Sequence, residues 1–330
     1  MKKNKIIYLN GLIDLAQSRL GTKIVYKTDE FFAPAKRITS PWPPVYKEGV
    51  FDKNGKWMDG WETRRKRVKG NDFLILKLGK PGQVKIIDVD TSFFSGNHPN
   101  KFSLQGCVSN NLIPNKSTKW INLVNKISAK ANSHHFFKVK NKKYFTHIKL
   151  NIFPDGGVAR LRIYGKMKIK IKKEKKLQNL TSILNGSVPI ACNNEHFGRS
   201  ENILAPGIAK NMGDGWETRR SRGKNFDWII VKCSCVGKIK KMQIDTHHFK
   251  GNYPDKCSIQ AQYINSKVSN KKIVLKSKHW PIMLKKTKLY GHRKHNFKNK
   301  RLKNKKINYL RINIFPDGGI SRIRFFGTPI

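Results

Sequence analysis

A seven-residue stretch, Asp59-Gly60-Trp61-Glu62-Thr63-Arg64-Arg65, returns 155 positions later as Asp214-Gly215-Trp216-Glu217-Thr218-Arg219-Arg220. A polar run with both charge signs, a tryptophan and a glycine does not recur by composition alone, so the chain reads as one domain written twice. The register extends beyond the motif. Asp90-Thr91, Phe94, Gly96-Asn97 and Pro99 are answered by Asp245-Thr246, Phe249, Gly251-Asn252 and Pro254. Further on, Asn151-Ile152-Phe153-Pro154-Asp155-Gly156-Gly157 returns as Asn313-Ile314-Phe315-Pro316-Asp317-Gly318-Gly319, now 162 positions later. The second copy therefore carries a few extra residues, expected in a loop between these anchors.

Two domains of about 150 residues each fit the length and are large enough to bury separate cores. The boundaries read as a first repeat over 1–168, a basic linker over 169–185 and a second repeat over 186–330. Leu12, Leu15, Ala16 and Leu20 stand at near-helical spacing, which predicts a short N-terminal helix ending at Gly21. Beyond it the chain is a series of short β-like runs, among them 73–78, 84–90, 102–107 and 147–153, with 273–276 expected as a strand of the second copy. Pro154-Asp155-Gly156-Gly157 has the chemistry of a tight hairpin turn. Many short strands with frequent turn signals and little helix predict an all-β fold of two tandem, homologous β-sandwiches.

Sixty-nine basic against twenty acidic residues give a net charge of +49. Charge of that size favours phosphate contacts. The excess is mainly lysine, scattered through linkers and loops such as 166–176 and 294–306, and few aromatics interleave with it as a base-stacking platform requires. Compositional bias is the better reading, and a nucleic-acid partner is not expected. The five cysteines show no zinc spacing, and reduced structural thiols are expected. The apolar run near the start is too short for a signal peptide and is cut by Asn10 and Asp14. No stretch approaches the ~20 apolar residues of a membrane span, so a cytoplasmic protein is expected.

Two clusters could carry chemistry. In Trp-Glu-Thr-Arg-Arg, either the tryptophan packs in the core and Glu pairs with Arg across strands, or one arginine forks a substrate carboxylate. In the second cluster, Asp245-Thr246-His247-His248 stands where copy one has Asp90-Thr91-Ser92-Phe93, so only copy two places an imidazole there to trade protons near neutral pH. A metal set of Asp245, His247 and His248 is disfavoured, because adjacent residues on a strand face opposite ways. Arg160 and Arg162, with Arg322 and Arg324, could pair with the motif glutamate or line an anion site. No phosphate loop, nucleophile elbow, Cys-His pair or zinc signature is present.

Residues 56–65 and 90–97, 212–220 and 245–254, Asp29-Glu30-Phe31-Phe32-Ala33 and both Phe-Pro-Asp-Gly-Gly turns together resemble the two repeats of the allantoicase family. The resemblance implies a pair of jelly-roll sandwiches and a hydrolase of linear amidines that splits allantoate into ureidoglycolate and urea during purine breakdown. On that reading Arg219 or Arg220 holds the carboxylate, His248 with Glu217 transfers protons, Asp245 orients His248, and Asn252 binds a ureido group. Glu62, Arg64, Arg65, Asp90 and Asn97 of copy one form a degenerate or complementary half-site. No organic cofactor is expected, a divalent metal stays open, and so does assembly into a homo-oligomer. The alternative is a jelly-roll module that binds a small anion or carbohydrate without reacting.

Overall fold

The computed structural model describes residues 6–171, 176–221 and 225–330. Part of the expected basic linker and the first residues of the rejected signal run lie outside them. The chain forms two compact units. One is Ile13–Lys168; the other is Ile169–Ile330 with the described residues up to Leu12.

Each unit is organised by one 19-residue strand, Asp72–Asp90 or Asp227–Asp245. The first half of Asp72–Asp90 pairs with Lys23–Lys27 and Phe145–Phe153, and the second half pairs with His134–Lys138 and Arg160–Met167. The strand therefore belongs to both layers of a sandwich, and the change of partners falls at Lys77–Gly82, where the register with Phe145–Phe153 shifts. The Gly79-Lys80-Pro81-Gly82 stretch that reads as a break in sequence is this transfer point. Phe145–Phe153 continues to Lys101–Cys107 and then to the edge strand Ile121–Ser128. The second unit repeats the plan with Val188–Cys192, Ile307–Phe315, Lys256–Gln262 and Ile282–Lys288 in one layer, and Lys294–Lys298 and Arg322–Pro329 in the other. All pairings are antiparallel, and the two units are tandem jelly-roll β-sandwiches. Leu74, Leu76, Phe102, Leu104, Ile148 and Leu150 from one layer and Val84, Ile87, Val89, Leu161 and Ile163 from the other are fully buried, or all but so, and make the first core.

Three expectations are corrected. The N-terminal helix is absent. Ile13–Asp14 is a short strand on Arg160–Met167, followed by a single 3-10 turn, Ser18–Leu20. The Asp14 carboxylate accepts from the backbone of Ala16 and Ile163 and pairs with Arg162, so it fixes an extended entry where a short amphipathic helix had only packing to offer. The repeat boundaries also move, the first repeat starting later than expected and the second earlier. Ile13–Asp14, Ser18–Leu20 and Gly21 (φ 90°) return as Gln178–Asn179, Ile183–Asn185 and Gly186 (φ 88°), so the end of the expected linker is already folded repeat. Ile7–Tyr8, assigned to the first repeat, instead adds an edge strand to Val188–Cys192 of the second. Finally, residues 273–276 lie in an α-helix, Asn270–Ser277, capped by the Ser269 side chain on Lys272 N. Ile273, Val274 and Ser277 are its buried face, a helical spacing that a four-residue window mimics as strand. This helix occupies most of the extra length of copy two. Copy one has its own insertion of ten residues between Ala33 and Asp59, folded as a loop with the small hairpin Phe51–Asp52 and Gly55–Lys56.

Candidate active-site clefts

The repeated motif is held by its own repeat partners. Trp61 is fully buried and its indole N–H donates to Asp29 O at 2.8 Å. Trp61 and Glu62 pair with Val158 and Gly157, so the motif strand is zipped to the Pro-Asp-Gly-Gly turn. Gly157 has to be glycine, since a Cβ there would lie 2.0 Å from the Phe94 ring. Thr63 closes the contact: its N–H donates to Gly156 O and its hydroxyl accepts from Gly156 N. Copy two repeats this arrangement with Trp216, Glu217, Thr218 and Gly318.

Buried anchors on one side turn Glu62 toward a cleft on the other. Asn97 Nδ2 donates to Glu62 Oε1 at 2.6 Å, and Asn252 does the same to Glu217 at 2.6 Å. Burial raises the Glu62 pKa above its usual value, and the Asn97 hydrogen bond offsets this only in part. Because the amide spends its N–H on the carboxyl, its oxygen remains to accept from a ligand.

The cleft of the first unit has a volume of about 1040 Å³ and is lined by Glu62, Arg64, Arg65, Lys66, Asn97 and His98, among others. Its cations are not equivalent. Arg64 is pinned by Asp29, Nε to Oδ2 at 2.8 Å and backbone N to Oδ1 at 2.9 Å. Lys66 pairs with buried Asp72 at 2.9 Å. Among the described residues no ion pair holds Arg65, whose guanidinium is exposed in the cleft. His98 was missed in the sequence. It lines this cleft, and its Nδ1 is buried without a hydrogen-bond partner. The signal was legible as Gly96-Asn97-His98-Pro99 against Gly251-Asn252-Tyr253-Pro254. A second cavity of about 450 Å³ shares Glu62, Asn97 and Phe32 with the first and is otherwise lined by Tyr46, Lys56, Met58 and Phe93, among others. Tyr46 and Lys56 come from the insertion peculiar to copy one, so the Glu62–Asn97 pair stands between two compartments.

The cleft of the second unit is smaller, about 550 Å³, and brings together Glu217, Arg219, Arg220, Asn252, Tyr253 and Asp317. His248 does not join the residues that line it. His248 takes a left-handed backbone (φ 73°), as does its counterpart Phe93 (φ 68°), and its Nε2 donates to Ala209 O at 2.9 Å. The expected Asp245–His248 pairing is not formed. Asp245 Oδ1 accepts from His247 N at 2.9 Å, and Asp90 likewise accepts from Ser92 N at 2.8 Å. Both aspartates are buried turn caps that end the long strand, where the chain's reversal leaves amides to be satisfied. For the same reason His247 and His248 do not face opposite ways: the strand ends at Asp245 and the two rings lie 4.2 Å apart. Among the described residues no group of three or more His, Cys, Asp or Glu side chains is arranged to hold a metal ion.

The post-turn arginines pair with neither motif glutamate. Arg160 and Arg322 are buried against the motif aspartates, Asp59 at 2.6 Å and Asp214 at 2.7 Å. Arg162 pairs with Asp14, and Arg324 donates to the carbonyls of Ala205 and Gly207, burial having pushed its pKa down to about 10. They brace the clefts from behind. The five cysteines are free thiols, four of them buried. Among the described residues no helix is long and apolar enough to cross a membrane.

The two repeats that carry these clefts match the family model described as the allantoicase repeat over residues 13–168 and 178–330. The chain belongs to the allantoicase family. It is 46% identical over 320 residues to a probable allantoicase of Pseudomonas fluorescens, covering 96% of each chain. A probable allantoicase of Acinetobacter baylyi is also 46% identical, over 98% of this chain and 96% of the relative. Among solved structures, one allantoicase superposes with a TM-score of 0.80 at 31% identity, covering 96% of this chain and 94% of that one. The allantoicase of Saccharomyces cerevisiae gives 0.80 at 29% identity over 98% and 100%. The family repeat begins at residues 13 and 178, where the short entry strands of the two units also begin.

Proposed function

We propose that this allantoicase-family chain hydrolyses allantoate to ureidoglycolate and urea, and that the first cleft hosts the reaction. Allantoate carries a carboxylate and two ureido groups on one carbon. The observation that carries the reading is the cleft in which a buried Glu62 on Asn97 shares its walls with an unpinned Arg65 and the imidazole of His98. The Arg65 guanidinium offers a planar fork to the carboxylate. The Asn97 oxygen accepts from a ureido N–H, and the compartment beyond it has room for the second arm.

Urea leaves poorly as a nitrogen anion, so its nitrogen needs a proton as the C–N bond breaks. Glu62, held toward its protonated form by burial, supplies it. His98 takes the N–H proton of the retained ureido group, whose nitrogen pair forms the C=N bond of an acyl-imine. Water then adds to that carbon. The Glu62 carboxylate takes the proton of the attacking water, and the imidazolium returns its proton to the ureido nitrogen. Both side chains end as they began, and one water has been consumed. A non-catalytic module would have no use for this proton inventory, although it would share the arginine.

The reading also carries expectations of a cytoplasmic enzyme whose partner is a small molecule, with proton transfers assigned to side chains. Urea release from allantoate by the purified protein, with and without a chelator, is the test. Release is expected; loss under chelation would add a metal requirement. Folded protein that binds allantoate and releases no urea would overturn the assignment in favour of a binding module.

A further inference from the structure

The two clefts keep the same Glu–Asn pair and differ in what surrounds it. Asp29, which pins Arg64, is replaced in copy two by Asn194. The backbone contact survives, Arg219 N donating to Asn194 Oδ1 at 3.2 Å, but the carboxylate that would hold the guanidinium is gone. Arg219 is left exposed, and among the described residues its guanidinium hydrogen-bonds His196 Nδ1 at 3.3 Å and no carboxylate. Lys66, the partner of Asp72, is replaced by Ser221. Buried Asp227 is satisfied instead by Asn193 at 2.8 Å and Asn194 at 3.1 Å, so no cation is drawn back toward it. The acids in this cleft are already engaged. Asp317 accepts from Ser221 N, Asp255 pairs with Lys256 and Lys288, and Glu217 is bonded to Asn252. Among the described residues no carboxylate holds Arg219 or Arg220. Finally, His98 is replaced by Tyr253, so the imidazole has no counterpart in this cleft.

We propose that the second cleft is a separate binding site for a small carboxylate bearing a ureido or amide arm, and that it binds without turnover. Arg219 and Arg220 hold the carboxylate, and the free oxygen of Asn252 accepts from the arm. Loss of the imidazole removes chemistry, while loss of the Asp29 equivalent frees a second guanidinium for binding. This assignment rests on the reading that the reaction belongs to the first cleft.

The probe is hydantoate, which carries a carboxylate and one ureido arm on one carbon and so lacks the second ureido nitrogen whose electron pair expels urea in the reaction above. Calorimetry of the full chain should show two hydantoate sites. The double variant N194D/S221K rebuilds the pin of copy one, with the new lysine beside Asp227. It should weaken one of the two sites about tenfold and leave urea release from allantoate within twofold. Arg219→Ala should weaken the same site without adding a carboxylate beside Asp227, so a folding defect of the double variant does not decide the matter. Wild-type protein with one site or none, or two sites indifferent to both changes, would overturn the proposal. Urea release lost in Arg219→Ala and kept in Arg65→Ala would overturn it too, by moving the chemistry to the second cleft. Two hydantoate sites with no urea from wild-type protein would instead sink the function reading and leave this site standing.

Discussion

Replacing Asp59 by Asn separates the brace behind the first cleft from its surface. Arg160 is 1% exposed, and its guanidinium donates to Asp59 Oδ2 at 2.6 Å, Asp59 O at 2.7 Å, Ala159 O at 2.7 Å, Trp42 O at 2.9 Å and Pro43 O at 3.2 Å. Burial pulls the Arg160 pKa down and the Asp59 carboxylate opposes that pull. Asn keeps the shape and the backbone carbonyl but removes the carboxylate bonded to the cation, leaving the weaker pull of Asp90. Breaking a buried pair from one side costs about 3–5 kcal/mol. In a unit of this size each kcal/mol lowers the melting temperature by about 2–4 °C, so a fall of about 6–20 °C is expected. Asp29→Asn is the control. Its partner Arg64 is 63% exposed, so the pair is worth about 1 kcal/mol or less, and a fall of no more than about 4 °C is expected. Thermal unfolding of the full-length variants by circular dichroism gives both numbers. Equal shifts in the two variants would refute the claim that burial, rather than pairing as such, makes Arg160 structural.

Glu62→Gln should lower urea release at least about a hundredfold, the scale of a lost proton donor. The same variant carries a stability signature. Because burial raises the Glu62 pKa above 4.5, folding favours its protonated form; that contribution is full below about 4.5 and is lost as pH rises through the raised native value. Chemical denaturation should therefore find Glu62→Gln at least as stable as wild type at pH 7, with its advantage shrinking as pH falls through the raised native value toward 4.5 and no further change below that; a disadvantage at pH 7 would count against a desolvated carboxyl. His98→Ala should lose urea release about a hundredfold and regain part of it with added imidazole, whereas a merely structural histidine would show no rescue. Arg65→Lys, which keeps charge but loses the fork, should raise KM about tenfold with little change in kcat; an unchanged KM would remove Arg65 from carboxylate recognition.

The amino-acid sequence by itself determined the duplication, the all-β sandwich and the family, because these rest on long runs of local identity and on turn chemistry repeated in register. The Trp-Glu-Thr-Arg-Arg and Gly-Asn-x-Pro stretches could each be read as important. That Glu62 reaches Asn97, 35 positions away, was not in either stretch; it comes from zipping the motif to the Gly156-Gly157 turn. Periodicity misjudged the short segments 11–20 and 273–276, where an aspartate bonding across the sheet and a serine cap outweigh a few apolar spacings. The histidine contrast at position 248 drew the eye away from the one at position 98, since two letters look alike in a line of sequence whichever side of a strand end they occupy. Only the tertiary structure decides that His248 is spent on a backbone carbonyl while His98 lines a cleft. It alone decides which arginine of the first cleft is pinned and which is free, because that choice depends on one aspartate, Asp29, brought in from 35 positions away.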